Sequence, residues 1–220
     1  LSFLWTGPTI WLVISFSILI FFQFNLKLNI KFSCITFVIL ILSLNIFNDT
    51  SKMDLHSPYQ NVSVKFNNDQ LKPITVQSNN IWLQTPIDLS NKINQEKNST
   101  WHKFYIIPFT STNYDFKDIL IVGSGTGNDV ATAIRYSEGN IDAVEIDPLV
   151  ANLGEKFHPE NPYSNPRVNL IINDARNFIK EIDKKYDLIV YSVLDSHANL
   201  SSKGGVRLDS YVYTVESFYE

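Results

Sequence analysis

Apolar and polar residues alternate in three different ways along this chain, and each pattern predicts a different kind of structure. Residues 9–24 and 32–47 are dense in Ile, Leu, Phe and Val and contain no formal charge. Each run is roughly 16 residues, and a short flank brings it close to the ~20 needed for a membrane span. Both are expected to be transmembrane helices, with a pair of buried core helices as the alternative. Residues 48–56 read as a polar linker. From 57 to about 89, short alternating runs (Val62-Ser-Val64-Lys-Phe66, Ile74-Thr-Val76, Ile81-Trp-Leu83) predict a small antiparallel β-region. Residues 91–100 read as a loop, and 101–109 as a short helix ending near Pro108.

From Asp118 the pattern becomes strand–helix alternation. Strands are predicted at 119–122, 141–146, 168–172 and 188–191, with helices at 128–136, 148–157 and 175–182. Pro148 suits a first helical turn. Apolar strands of this kind fit a parallel sheet covered on both faces. The predicted organisation is therefore α/β: transmembrane helices within 1–48, a small β-rich domain at 57–110, and a Rossmann-like nucleotide-binding domain at 115–220. The chain begins at Leu1 and stops as a new segment starts at Tyr219-Glu220. It reads as a fragment, with the α/β fold incomplete at its C-terminal end.

Composition narrows the function classes. Of the 220 residues 45% are hydrophobic, but unevenly spread, and the net charge of −4 gives no support to nucleic-acid binding. The single cysteine, Cys34, excludes an intrachain disulfide framework and a cysteine-rich metal site, and no metal is expected. In its apolar run Cys34 reads as a buried, inert thiol. A signal peptide would supply one apolar run rather than two. Lys27 and Lys31 between the runs would place that loop in the cytoplasm and the remainder outside. A nucleotide cofactor argues for the opposite, and a multi-pass membrane protein with a cytoplasmic catalytic part is the expectation.

The candidate chemistry begins at Asp118-Ile-Leu-Ile-Val-Gly-Ser-Gly-Thr-Gly127, an apolar strand running into a glycine-spaced turn. Gly123 permits the tight turn, while Gly125 and Gly127 let backbone N–H groups approach a ligand. Ligands of open α/β sheets bind outside the carboxyl ends of the strands, so acids there are site candidates. Glu145 follows the glycine loop by about 20 residues, where a carboxylate can accept both ribose hydroxyls. Asp147, one step on in the alternation, is expected to face a helix or solvent. Asp174, beside the Ala175 backbone, could accept an adenine amine, and Asp195 follows the last strand. A nicotinamide dinucleotide is the rival ligand. The loop G-S-G-T-G-N lacks the third glycine of the dinucleotide register, which favours S-adenosylmethionine or its decarboxylated form.

These residues resemble those of the polyamine aminopropyltransferases, the spermidine synthases, in their membrane-fused variants. Ser57-Pro-Tyr59-Gln60, Trp101-His102, Val144-Glu-Ile-Asp147, Asn173-Asp174-Ala175 and Tyr213-Thr-x-Glu-x-Phe218 carry the resemblance, which spans residue 57 to the end. It implies aminopropyl transfer from decarboxylated S-adenosylmethionine to an amine such as putrescine, and leaves a homodimer open. By position, Tyr59, Gln60, His102 and Asp195 would contact the amine substrate, with Asp195 catalytic. Gly123, Gly125, Thr126, Gly127, Glu145, Asp174 and Ala175 would hold the nucleoside.

Two positions depart from the family. Its glycine loop carries an acid where this chain has Thr126, and its D-S-x-D motif begins with the catalytic base where this chain has Ser192. Asp129 or Asp209 could replace a missing acid, and His197 could titrate usefully. Methyl transfer, and a non-catalytic nucleoside-binding domain beside a membrane protein, remain as alternatives.

Overall fold

The computed structural model describes residues 8–26, 30–46, 52–79, 81–192 and 214–219. Asp195, His197, Asp209 and Tyr213 lie outside them. The apolar runs form helices α1 (Pro8–Asn25) and α2 (Ile30–Ile46). They pair through stacked Phe16 and Phe37, with ring centroids 3.9 Å apart, and through Gln23 Nε2 donating to Ser33 Oγ at 2.6 Å.

The expected pair of transmembrane helices needs correction. At about 1.5 Å per residue, α1 and α2 reach about 27 and 25 Å, short of a hydrocarbon core of about 30 Å. No helix among the described residues is long and apolar enough to cross a membrane. Cys34 is also exposed rather than buried. Both helices leave large apolar side chains exposed, among them Phe21, Phe24, Ile35 and Ile39.

Four strands follow: β1 (Lys52–His56), β2 (Asn61–Phe66), β3 (Ile74–Ser78) and β4 (Ile81–Gln84), forming an antiparallel sheet in the order β1-β2-β3-β4. β1 occupies part of the segment read as a linker. Its polar sequence suits an edge strand, where charge discourages further pairing, and Asp54 accepts a 2.5 Å bond from Ser63 Oγ across the pair. The expected loop after the sheet contains α3 (Lys92–Lys97), whose first turn Asn91 caps by accepting from the Asn94 N–H. Helix α4 (Ser99–Thr110) continues past Pro108. Proline sits there in the last turn, where Thr110 and Ser111 hydroxyls donate back to the carbonyls of Ile106 and Ile107.

The strand–helix alternation forms as expected: β5 (Asp118–Val122), α5 (Asn128–Tyr136), β6 (Asn140–Glu145), α6 (Pro148–Phe157), a 3-10 turn (Pro162–Ser164), β7 (Val168–Ile172), α7 (Ala175–Glu181) and β8 (Leu188–Tyr191). A short helix α8 (Val215–Tyr219) lies beyond. All pairings in this sheet are parallel, in the order β7-β6-β5-β8. The chain builds outward from β5 to β7 and then returns to the opposite side of β5. That reversal makes the carboxyl end of β5 the place where an open α/β sheet leaves a crevice.

Side chains of β5 alternate between two cores. Ile119 and Ile121 pack with Val130, Ala133, Ile141 and Ala143, while Leu120 and Val122 pack with Val144, Ala175 and Phe178. The antiparallel sheet lays Val62, Val64, Ile74 and Val76 against Val150 and Leu153 of α6. The two sheets therefore share α6 between them.

Candidate functional site

The glycine loop turns directly off β5. Gly123, Gly125 and Gly127 have φ of 75°, 58° and 102°, a region that L side chains rarely adopt. Space enforces the choice as well, since a Cβ at Gly125 would lie 2.3 Å from Gln84 Oε1 and one at Gly127 would lie 2.7 Å from Pro162 Cγ. The loop folds back on β6, with the Gly123 and Ser124 N–H groups donating to Val144 O.

Glu145 ends β6 beside this loop. Its Oε2 accepts from the Gly125 N–H at 2.8 Å and its Oε1 from the Asp147 N–H at 2.9 Å. Burial pushes its carboxyl up to about 7, against the lowering effect of these N–H bonds. A carboxylate has about four lone-pair sites. The two bonds leave room for a pair of ligand hydroxyls.

Asp147 does not face solvent. It is 1% exposed, caps α6 by accepting from the Leu149 N–H, and accepts from Ser57 Oγ at 2.7 Å and Gln60 Nε2 at 2.9 Å. Gln60 is thereby fixed at the junction of the two sheets, next to the β6 tip, while Tyr59 is 47% exposed. Thr126 is fully buried, and both its N–H and its hydroxyl donate to Gln84 Oε1, at 2.6 and 2.9 Å. With left-handed glycines on both sides, its polar groups turn toward β4.

Asp174 caps α7, accepting from the N–H groups of Arg176 and Asn177, with Ala175 packed beneath against the sheet. His102 lies apart from these residues. Its Nε2 is 2.9 Å from Tyr136 Oη at the far end of α5, about 12 Å along the helix from the glycine loop.

Three residues that sequence reasoning passed over complete the loop's support. Asn128 Oδ1 accepts from the Ile87 N–H, and its Nδ2 donates to Thr85 O and Tyr105 Oη. Its place after the last loop glycine was the available signal. Tyr163 Oη donates to Gly125 O at 2.7 Å and lies 3.0 Å from Ser124 Oγ. Gly154 lets α6 approach, since a Cβ there would sit 2.5 Å from Thr126 O.

The last strand adds a pair. The Ser192 N–H donates to Val122 O, and Ser192 Oγ donates to Asp129 Oδ2 at 2.9 Å. Asp129 lies in the first turn of α5, is 6% exposed, and burial pushes its carboxyl up to about 6. Among the described residues no group of three or more His, Cys, Asp or Glu side chains could hold a metal ion.

Residues 105–203, just under half of the chain, match the Spermine/spermidine synthase domain. A polyamine aminopropyltransferase of Clostridium perfringens (strain SM101 / Type A) is 34% identical over 98 residues, covering 43% of this chain and 35% of its own length. One of Buchnera aphidicola subsp. Acyrthosiphon pisum (strain Tuc7) is 40% identical over 83 residues, covering 36% and 29%. The matched segment thus spans about a third of those relatives. A spermidine synthase solved with the transition-state analogue AdoDATO superposes with a TM-score of 0.56 at 16% identity, over 76% of this chain and 51% of that one. The spermidine synthase of Thermotoga maritima gives 0.52 at 16%, over 65% and 46%. Through residues 105–203 and its pair of sheets, the chain is similar to the spermine/spermidine synthase family.

Proposed function

We propose that the chain is part of an aminopropyltransferase that moves an aminopropyl group from decarboxylated S-adenosylmethionine to a small amine such as putrescine. The observation that carries this is Glu145, buried at the β6 tip and held by the glycine loop's own N–H at 2.8 Å. A carboxylate so placed can accept both hydroxyls of a ribose with its remaining lone pairs. The relatives' name, polyamine aminopropyltransferase, supplies the reaction. Asp174 and Ala175 would meet the adenine, and Gln60, Tyr59 and Asp195 the amine. The protein's work is to orient two cationic reactants and remove a proton from the amine.

A second reading is methyl transfer from S-adenosylmethionine. It draws support from Thr126, which presents a hydroxyl bonded to Gln84 where the family resemblance implies an acid. Calorimetry of the full-length protein separates the two. Tighter binding of the decarboxylated nucleoside, with release of methylthioadenosine from it when putrescine is the acceptor, is expected. A clear preference for the carboxylated form would defeat aminopropyl transfer.

The α1–α2 hairpin would attach the protein to a membrane, with the nucleotide fold on the cytoplasmic side. The exposed apolar side chains of both helices, among them Phe21, Phe24, Ile35 and Ile39, support this. The full-length protein should float with phospholipid vesicles. Recovery in the aqueous fraction would count against attachment.

A further inference from the structure

Asp129 is not among the residues assigned above to the nucleoside, yet it is a buried carboxylate in the first turn of α5, at the carboxyl end of the parallel sheet. Among the described residues Ser192 Oγ donates to its Oδ2 at 2.9 Å. No cation among the described residues pairs with it, and a buried carboxylate without such a partner is costly. The first turn of α5 offsets part of that cost, because helix N-termini favour negative charge. Ser192 follows β8 directly, and its N–H bonds Val122 O where the glycine loop begins. The pair thus sits beside the ends of β5 and β8, the two strands between which the sheet order reverses.

We propose that Ser192 and Asp129 form a proton relay, with the serine hydroxyl facing the amine and the aspartate behind it accepting the proton. This rests on aminopropyl transfer as the reaction. The amine arrives as an ammonium ion and cannot attack until it loses a proton. Ser192 Oγ takes that proton as its own hydroxyl proton passes to Asp129 Oδ2. The amine lone pair then forms the C–N bond at the carbon attached to the sulfonium. The C–S bond breaks, its electron pair stays on sulfur as a neutral thioether, and the product leaves as a secondary ammonium. Asp129 returns its proton to water.

A serine alone is too weak a base for this step, and a carboxylate bonded to its hydroxyl proton corrects that. Burial raises the Asp129 carboxyl to about 6, which suits a group that must hold a proton briefly. Tyr105 of α4 and Tyr163 of the 3-10 turn are the titratable side chains whose ionisation its charge opposes.

The test uses the full-length protein with decarboxylated S-adenosylmethionine and putrescine, reading methylthioadenosine release. Asp129→Asn and Ser192→Ala should each lower kcat about 100-fold while nucleoside affinity by calorimetry stays unchanged. The double variant should be no slower than either single one, as for residues acting as a unit. Adding Ser192→Asp to Asp129→Asn should recover about tenfold by returning a carboxylate to the strand end, which a packing role for Asp129 would not produce. The wild-type rate should fall below about pH 6, and that limb should be absent from the residual rate of Asp129→Asn. A folded Asp129→Asn variant at full rate, or single losses that multiply, overturns the relay alone. If Asp129→Asn does not fold, Ser192→Ala decides, and its full rate overturns the relay. A wild-type protein that releases no methylthioadenosine overturns aminopropyl transfer and the relay together.

Discussion

The turns after β6 and β7 have the same local design and opposite surroundings. Each strand ends at an aspartate that caps the following helix, Asp147 for α6 and Asp174 for α7. Asp147 is buried and also accepts from Ser57 and Gln60, whereas Asp174 is half-buried and, among the described residues, accepts from the N–H groups of its own helix. Helix α6 buries Val150, Ala151, Leu153 and Gly154, and α7 buries none of its residues. The contrast teaches that one motif can serve as a clamp or as a simple cap. What decides is whether a second sheet packs over it.

That contrast can be broken at its strongest point first. Asp147→Ala removes a helix cap and takes the acceptor from the buried Ser57 hydroxyl and the half-buried Gln60 amide, which should cost about 3 kcal/mol. Urea denaturation measures it. A loss no larger than that of a bare cap would mean the sheets are not joined through this residue.

The next effect comes from pH. Glu145 carries a carboxyl raised from 4.5 to about 7, so the folded protein holds a proton that the unfolded chain has released. Its stabilising contribution is full below the unfolded value and is lost as pH rises through about 7. Asp129, raised from 3.8 to about 6, acts in the same sense. Buried His158, lowered from 6.5 to about 3, opposes both, because its contribution is lost as pH falls below 6.5. Without ligand, the wild type should lose on the order of 2–3 kcal/mol relative to Glu145→Gln between about pH 5 and pH 8. Parallel stability curves would show Glu145 ionised throughout.

Gly154→Ala probes how closely α6 approaches the loop. Helix propensity favours alanine by about 1 kcal/mol, but overpacking against a backbone carbonyl costs about 1–3 kcal/mol or more. At 2.5 Å from Thr126 O the clash should win. A net loss of about 2 kcal/mol is expected in the same denaturation assay. A gain would mean that α6 can withdraw without harm. Asp174→Ala, on the other side, should cost only about 1 kcal/mol, the ordinary worth of a cap. A loss equal to that of Asp147→Ala would erase the distinction between the two turns.

Much of the α/β half was legible because its signals are local. The apolar runs at Ile119–Val122 and Ile141–Val144, the glycine spacing, and Pro148 at a first turn each follow from neighbouring residues. The edge strand β1 was not legible, since the alternation of Met53 and Leu55 with Lys52, Asp54 and His56 is too short a signal, and only the register with β2 sets Asp54 opposite Ser63 and His56 opposite Asn61. Helix α3 was hidden for a similar reason. Its sequence is polar, and the Asn91 cap that starts it looks like one more loop residue.

The site divides in the same way. Sequence alone established the glycine loop, the carboxylate at Glu145 and the departures at Thr126 and Ser192, because motif spacing is a property of the chain. Tertiary structure alone decided the partners of those residues. Thr126 meets Gln84 across 42 positions, Asp147 meets Ser57 across 90, and Ser192 meets Asp129 across 63. Hydrogen bonds reach about 3 Å in space whatever the sequence separation. The parallel pairing of β5 with β6 and β8, and the sheet laid over α6, therefore chose which buried acid anchors the fold and which stands beside the strand end.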